Sequence, residues 1–241
     1  MSSSVSESNL IESESKRYFP LGHEALKNLN RRSTLKGLFQ LSAHFTILSI
    51  SGYLWGTNLG HNWAIAIPAV IVYGFGFAAM FAPMHECSHR TAFENNTLND
   101  AVCWLAGVLS FYNGAFYRRY HKWHHRYTQD FDTDPELSDP IPQTLTDYLI
   151  LMSGLTWWWG KLKTHTRVAL GQLESYPYIS EDARAGVVFS VRSQLAVYGI
   201  AIAINHCSSA LVCYLLVVSI VRGTADFADD LAFRTYRMYT R

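Results

Sequence analysis

The chain has 241 residues, 49% of them hydrophobic and only 16% charged, with a formal net charge of +1; soluble domains usually carry roughly 25% charged residues. That balance gives no basic surface for nucleic acid and fits either one domain or a membrane protein of a few spans. The four cysteines, Cys87, Cys103, Cys207 and Cys213, form no C-x-x-C pair, so reduced thiols are expected and no disulfide framework is implied.

Residues 1–34 are Ser/Glu-rich and then basic, without the apolar core of a cleavable signal peptide. The first dozen residues are expected to be disordered, and Tyr18 to Arg32 to form a surface helix. Leu35 to Trp55 and Trp63 to Ala82 are apolar runs, each of about 20 residues and so long enough to cross a bilayer as a helix. Gly52, Gly56, Asn58, Gly60 and Asn62 give their junction a turn composition. The pair predicts a transmembrane hairpin; two buried helices of a soluble bundle are the alternative. Pro83 is expected to break or kink the second helix at the water boundary.

Ala101 to Phe116 and Leu145 to Trp159 are apolar but too short to span comfortably. They read as interfacial or re-entrant pieces, with Trp157, Trp158 and Trp159 at the headgroup level. Val187 to Val221 is 35 residues long and is interrupted by Asn205-His206-Cys207-Ser208-Ser209. It predicts a second hairpin of two short spans, with Arg192 snorkelling toward the interface. The expected architecture is all-α, an integral membrane protein with four transmembrane helices. A polar segment (1–34), a membrane domain (35–222) and a polar tail (223–241) divide the chain.

Six Lys/Arg lie at or before Lys36, ten between Arg90 and Arg192, and four from Arg222 onward, which leaves the two predicted outer loops with none. The positive-inside rule then places the N-terminus, the histidine region and the C-terminus in the cytoplasm. On that side the sequon Asn95-Asn96-Thr97 is inert.

Five of the ten histidines fall between positions 85 and 125. They form two groups: His85-Glu86-Cys87-Ser88-His89, and His121-Lys122-Trp123-His124-His125, followed by the acidic run Asp132-Thr133-Asp134-Pro135-Glu136. On helices, i, i+4 and i, i+3, i+4 spacings put each group on one face, so two helices can aim five imidazoles at one point. Imidazole is a ligand for iron, zinc, copper or nickel, and so dense a set fits more than one ion. A solvated helix face would explain any one of these residues alone. The first group also matches H-E-x-x-H, in which two histidines bind zinc and Glu86 would be the general base of a membrane metalloprotease. That reading leaves His121, His124 and His125 without a role. His165, on the cytoplasmic side between the two hairpins, is the one further histidine that could join the site, whereas His44, His61 and His206 are excluded by position. Glu86, Asp132 and Asp134 are candidates to orient imidazole N–H groups.

The two histidine boxes behind a transmembrane hairpin, with the acidic run after them, resemble the membrane-bound fatty acid desaturase and hydroxylase superfamily. The resemblance covers roughly residues 35 to 221. It implies an oxidoreductase of lipid metabolism with a non-haem di-iron site held by His85, His89, His121, His124, His125 and His165. It further implies dioxygen as oxidant and electrons from NAD(P)H through a small cytochrome or ferredoxin carrier. The substrate would be an acyl chain on a lipid or thioester, with desaturation ahead of hydroxylation, and the location the endoplasmic reticulum in a eukaryote. Phe111-Tyr112 and Trp157 to Trp159 are candidate walls of the acyl slot. Family members carry a third box, H-x-x-H-H, after the last span; here 19 residues follow Arg222 and none is histidine. The expectation is that the chain as written is not a competent oxygenase by itself, or serves as a non-catalytic lipid-binding member. The tail offers Asp226, Asp229 and Asp230 as oxygen ligands, although nothing in their spacing resembles a ligand set.

Overall fold

An antiparallel helical hairpin carries the chain to the histidine region. The computed structural model describes residues 22–138 and 141–204, and among them every regular element is helical. A short helix α1 (His23–Leu29) precedes α2 (Thr34–Asn58), which starts where Ser33 Oγ accepts the Lys36 amide. The chain turns at Gly60, in the left-handed region (φ 77°), and returns as α3 (Trp63–Ala79). Close approach of the pair rests on small residues. A Cβ at Gly52 would stand 2.8 Å from the Tyr73 ring, and one at Gly76 would stand 2.9 Å from Leu48. Trp55 closes the far end against Ala66 and Ala69.

Among the described residues, two stretches are long and apolar enough to cross a membrane: Trp63–Ser88, of 26 residues, and Glu181–Ala203, of 23. Helix α2 has the length, but Lys36, Gln40, His44 and its hydroxyl residues leave it less apolar. The outward faces of these helices are apolar, with Phe39, Ile47, Ile50 and Tyr53 exposed on α2, Ile65, Ile67 and Phe75 on α3, and Phe189 and Ile200 near the chain's last described residues. Exposed apolar surface on this scale is the reverse of a soluble bundle.

The break expected at Pro83 falls three residues upstream of it. The joint lies at Met80, and Pro83 is the third residue of α4 (Phe81–Ser88). A proline removes the amide that would bond back four residues, to Ala79, so the interruption falls there and Pro83 sits in a first turn where no donor is missed. Helix α5 (Asn96–Ser110) is capped by Asn95, whose Oδ1 accepts the Thr97 and Leu98 amides. The apolar run 101–116 is therefore not one piece. Phe111 takes a left-handed conformation (φ 60°), Asn113 caps the next helix, and α6 (Gly114–Tyr127) leaves in a new direction. Likewise 145–159 splits at Gly154 (φ 70°) into α7 (Leu145–Met152) and α8 (Leu155–Ala169).

The final helix α9 (Glu181–Ile204) begins six residues before its apolar run, because Glu181 and Asp182 suit a helix N-terminus. Arg192 is exposed, and its Nε donates to the carbonyl of Ala169 at the end of α8, at 2.8 Å. A polar string ties α9 to the α5–α6 corner. Asn113 Nδ2 donates to Gln194 Oε1 (2.9 Å) and Ser190 Oγ (3.1 Å), Gln194 Nε2 donates to the Tyr198 hydroxyl (2.6 Å), and that hydroxyl donates to the carbonyl of Val108 (2.7 Å). Such groups inside an apolar surround are costly unless paired, which fixes α9 in one register. Beneath the histidines, Met80, Met84 and Cys87 of α4 pack with Val102, Cys103 and Ala106 of α5 and Tyr117 of α6. Cys87 and Cys103 are buried free thiols, as expected. The helix expected within Tyr18–Arg32 is α1 (His23–Leu29); the predicted disordered start, residues 18–21, the break at 205–209 and everything after it, including Cys207, Cys213, His206 and the tail aspartates, lie outside the described residues.

Candidate metal centre

Helix α4 presents His85 on its last turn, with His89 as its C-cap. Helix α6 presents His121, His124 and His125 on its last two turns. Four rings converge. Nε2 of His121 lies 2.7 Å from Nε2 of His85 and 3.0 Å from Nε2 of His125. His89 completes the set, its ring centroid 4.9 Å from those of His85 and His121 and 5.1 Å from that of His125. Ligand atoms of His85, His89 and His121 all fall within 4.8 Å of one another.

Carboxylates set the tautomers. His121 Nδ1 is 3.3 Å from Glu136 Oε1 and donates to it, which leaves its Nε2 with a bare lone pair. That nitrogen faces two other Nε2 atoms. Neutral rings can share one proton along one such contact but not satisfy both, so the donor set fits a cation in the middle. His124 Nδ1 donates to Asp134 at 2.8 Å, and its Nε2 stands 3.4 Å from Glu136 Oε2. Both ring nitrogens of His124 thus face carboxylate oxygens. Asp134 is almost wholly buried; it also accepts the Gln129 and Glu136 amides, folding the acidic run back along α6. These partners hold imidazoles as metal-ligating histidines are usually held.

His165 lies on α8, buried, with Nδ1 donating to the carbonyl of Lys161 at 2.8 Å. Its Nε2 is buried and makes no hydrogen bond, although the Gln194 carboxamide is its polar neighbour. It has no ring contact with the four converging histidines among the described residues. His44 and His61 stand apart from the cluster, as anticipated. Glu86 does not face the rings: it lines a separate groove with Gly37, Gln40 and His44 of α2, away from where a general base would act. Asp132 is exposed, and its amide bonds Asp130. Of the three orienting carboxylates expected, only Asp134 fills that role, and Glu136 does the rest. The i+2 spacing of Asp134 and Glu136 across a proline turn was the available signal for Glu136.

An aromatic layer leads away from His85. Phe81 packs on Tyr112 (4.8 Å) and Tyr117 (5.5 Å), and Tyr112 reaches Trp157 (6.0 Å), with Lys161 Nζ 3.3 Å above the Tyr112 ring. Phe111 turns the other way, against Trp158 and Tyr198. Only Trp159 of the three tryptophans is strongly exposed, so two of them wall the interior rather than the headgroup level.

A family model described as fatty acid desaturase matches residues 61–227, well over half of the chain. The chain belongs to the fatty acid desaturase family. An sn-1 oleoyl-lipid 12-desaturase from Picosynechococcus sp. (strain ATCC 27264 / PCC 7002 / PR-6) is 30% identical over 103 residues. The aligned part is 40% of this desaturase-family chain, and it spans only 30% of the length of that relative. No solved structure matches it.

Burial and the neighbouring imidazoles of His121 and His125 hold the His89 ring below its ordinary pKa. Burial, His121 and His124 do the same for His125 against the pull of Glu136. In the unfolded chain these rings protonate near ~6.5. As pH falls through that value the unfolded state takes up protons that the folded rings refuse, so the metal-free fold loses stability toward acid. Melting curves of metal-free protein between about pH 5 and pH 8 should show that slope, and His89→Gln/His125→Gln should flatten it. A wild-type melting temperature independent of pH would count against the cluster.

Proposed function

We propose that this chain forms the metal-bearing part of an oxygen-dependent fatty acyl desaturase acting in lipid metabolism. The observation that carries this reading is the convergence of His121 Nε2 with those of His85 and His125. His85, His89, His121 and His125 would hold iron, with His124 adding its Nε2 beside Glu136. His165 is the remaining candidate, supported by its buried unpartnered nitrogen. Bound iron would supply an oxidant formed from dioxygen and two electrons, strong enough to take hydrogen from an unactivated C–H bond.

The protein's own residues do the rest. Asp134 and Glu136 hydrogen-bond the Nδ1 atoms of His124 and His121 and so aim those rings. Phe81, Tyr112, Tyr117 and Trp157 form the dry side on which an acyl chain would lie, excluding water from the reacting carbon. The named relative acts on an oleoyl lipid, which favours a lipid-borne chain and desaturation over hydroxylation. Electrons would come from NAD(P)H through a small cytochrome or ferredoxin. The chain would cross the membrane four times, with the histidines cytoplasmic; the Lys/Arg distribution supports that side.

Expression of the full chain in membranes tests this. Expected are bound iron and reaction of a cysteine placed at Asn58 with an impermeant reagent only from the non-cytoplasmic side, with an added double bond in membrane acyl chains when a full-length relative carrying the third histidine box is expressed instead. Stoichiometric zinc with peptidase activity lost in Glu86→Ala would overturn the reading. Bound iron with unchanged acyl unsaturation would refute the desaturase step alone.

A further inference from the structure

We propose that Arg118 is a positioning residue: its guanidinium, anchored by Asp100, locks the end of the first histidine helix against the second. Arg118 lies one turn before His121 on α6 and reaches across to the last residues of α4. Its Nε donates to the carbonyl of Ser88 at 2.9 Å and its Nη2 to that of Cys87 at 3.1 Å. The same Nη2 pairs with Asp100 of α5 at 2.6 Å. Both carbonyls lie in the last turn of α4, where carbonyls run out of partners along the helix; that of Cys87 also accepts the Arg90 amide at 3.0 Å. His85 and His89 flank them in the sequence.

Asp100 has a second partner. Arg90 grips it with Nε (3.1 Å) and Nη2 (2.8 Å), while its own backbone sits in the left-handed region at φ 58°. That conformation ends α4 directly after His89 and is unfavourable for a residue with a Cβ. The two guanidiniums and one carboxylate thus join the end of α4, the loop after it, α5 and α6 at one point. Although partial burial raises it, the hydrogen bonds and charges of Arg90 and Arg118 hold the Asp100 carboxyl below its ordinary range. Glycine serves the same purpose nearby: a Cβ at Gly114 would stand 2.6 Å from Cys103 Sγ, so α6 starts hard against α5. With both ends of α6's first turn fixed, the separation between His85 and His121 is set by the fork of Arg118. Lysine cannot copy that fork, having one donor centre where arginine offers two in a plane.

The proposal rests on the metal-centre reading only in using a metal as reporter. Cobalt(II) is titrated into the full chain in detergent or nanodiscs, reading affinity and the visible d–d spectrum, for wild type, Arg118→Gln, Arg118→Lys and the remote core variant Trp55→Ala. Arg118→Gln should bind cobalt about 10- to 100-fold more weakly with a changed spectrum, as loss of a supporting group does elsewhere. Arg118→Lys should fall between, keeping the pairing with Asp100 but only one carbonyl, and it carries the test if Arg118→Gln does not fold. Trp55→Ala should lower the melting temperature and leave affinity and spectrum alone. Wild-type affinity and spectrum in both Arg118 variants would overturn the proposal. So would a loss of affinity in Trp55→Ala that matches its loss of thermal stability as closely as in the Arg118 variants. A wild-type chain that binds no cobalt would instead overturn the metal-centre reading.

Discussion

His121→Ala is expected to abolish tight metal binding, with a larger effect than any other single histidine. This ring is the hub of the cluster: its Nε2 meets those of His85 and His125, and its Nδ1 engages Glu136. Removing it deletes one ligand and frees the carboxylate and two facing imidazoles at once. The loss should exceed the roughly 100-fold that marks removal of a supporting group. His61→Ala, in the exposed turn between α2 and α3, is the matched control and should bind as wild type does. Metal analysis of purified variants and a cobalt titration decide it. Equal retention of metal in His121→Ala and His61→Ala would dismantle the assignment of the centre.

Asp134→Ala should follow in size. Its carboxylate takes three donors, His124 Nδ1, the Gln129 amide and the Glu136 amide, and the residue is only 3% exposed. Losing the turn cap alone costs about 1 kcal/mol. Losing the orientation of His124, and with it the placement of Glu136, should weaken metal binding a further 10- to 100-fold, roughly the range for such partners. Asp134→Asn separates the two effects. Its oxygen can still accept from His124 and Glu136, but its NH2 then confronts the Gln129 N–H, donor against donor. It should therefore keep more metal affinity than Asp134→Ala while losing comparable thermal stability. Equal metal affinity in both variants and wild type would show that Asp134 only shapes the loop.

The aromatic layer gives the centre one dry side. His85 touches Phe81 and Tyr117, and Tyr117 stacks on His121 at 5.0 Å. His89 and His125 are on the exposed side of the cluster. That asymmetry suits a reaction in which a hydrocarbon lies on one side and the metal is reached from water on the other.

Histidine spacing alone determined a great deal about this protein. At i+3 and i+4, the faces of α4 and α6 follow from helix geometry, so five imidazoles had to fall on two helix faces wherever the helices lay. The apolar runs likewise announced α2, α3 and α9, because length and composition are local properties. Their ends were less legible. Phe111 and Gly154 turn the chain inside apolar stretches, and Asn113 and Thr144 cap helices through side chains whose partners are close in sequence but carry no hydropathy signal. What only the tertiary structure decided is which groups meet across long separations. Arg118 finds Ser88 across 30 positions, and Gln194 finds Asn113 across 81. Glu86, beside a ligand in sequence, turns away, because adjacent residues on a helix point about 100° apart. Glu136, eleven residues beyond His125, turns in because Asp134 folds the chain back on itself. Periodicity fixes the direction of a side chain on its own helix; only packing brings another helix to where it points.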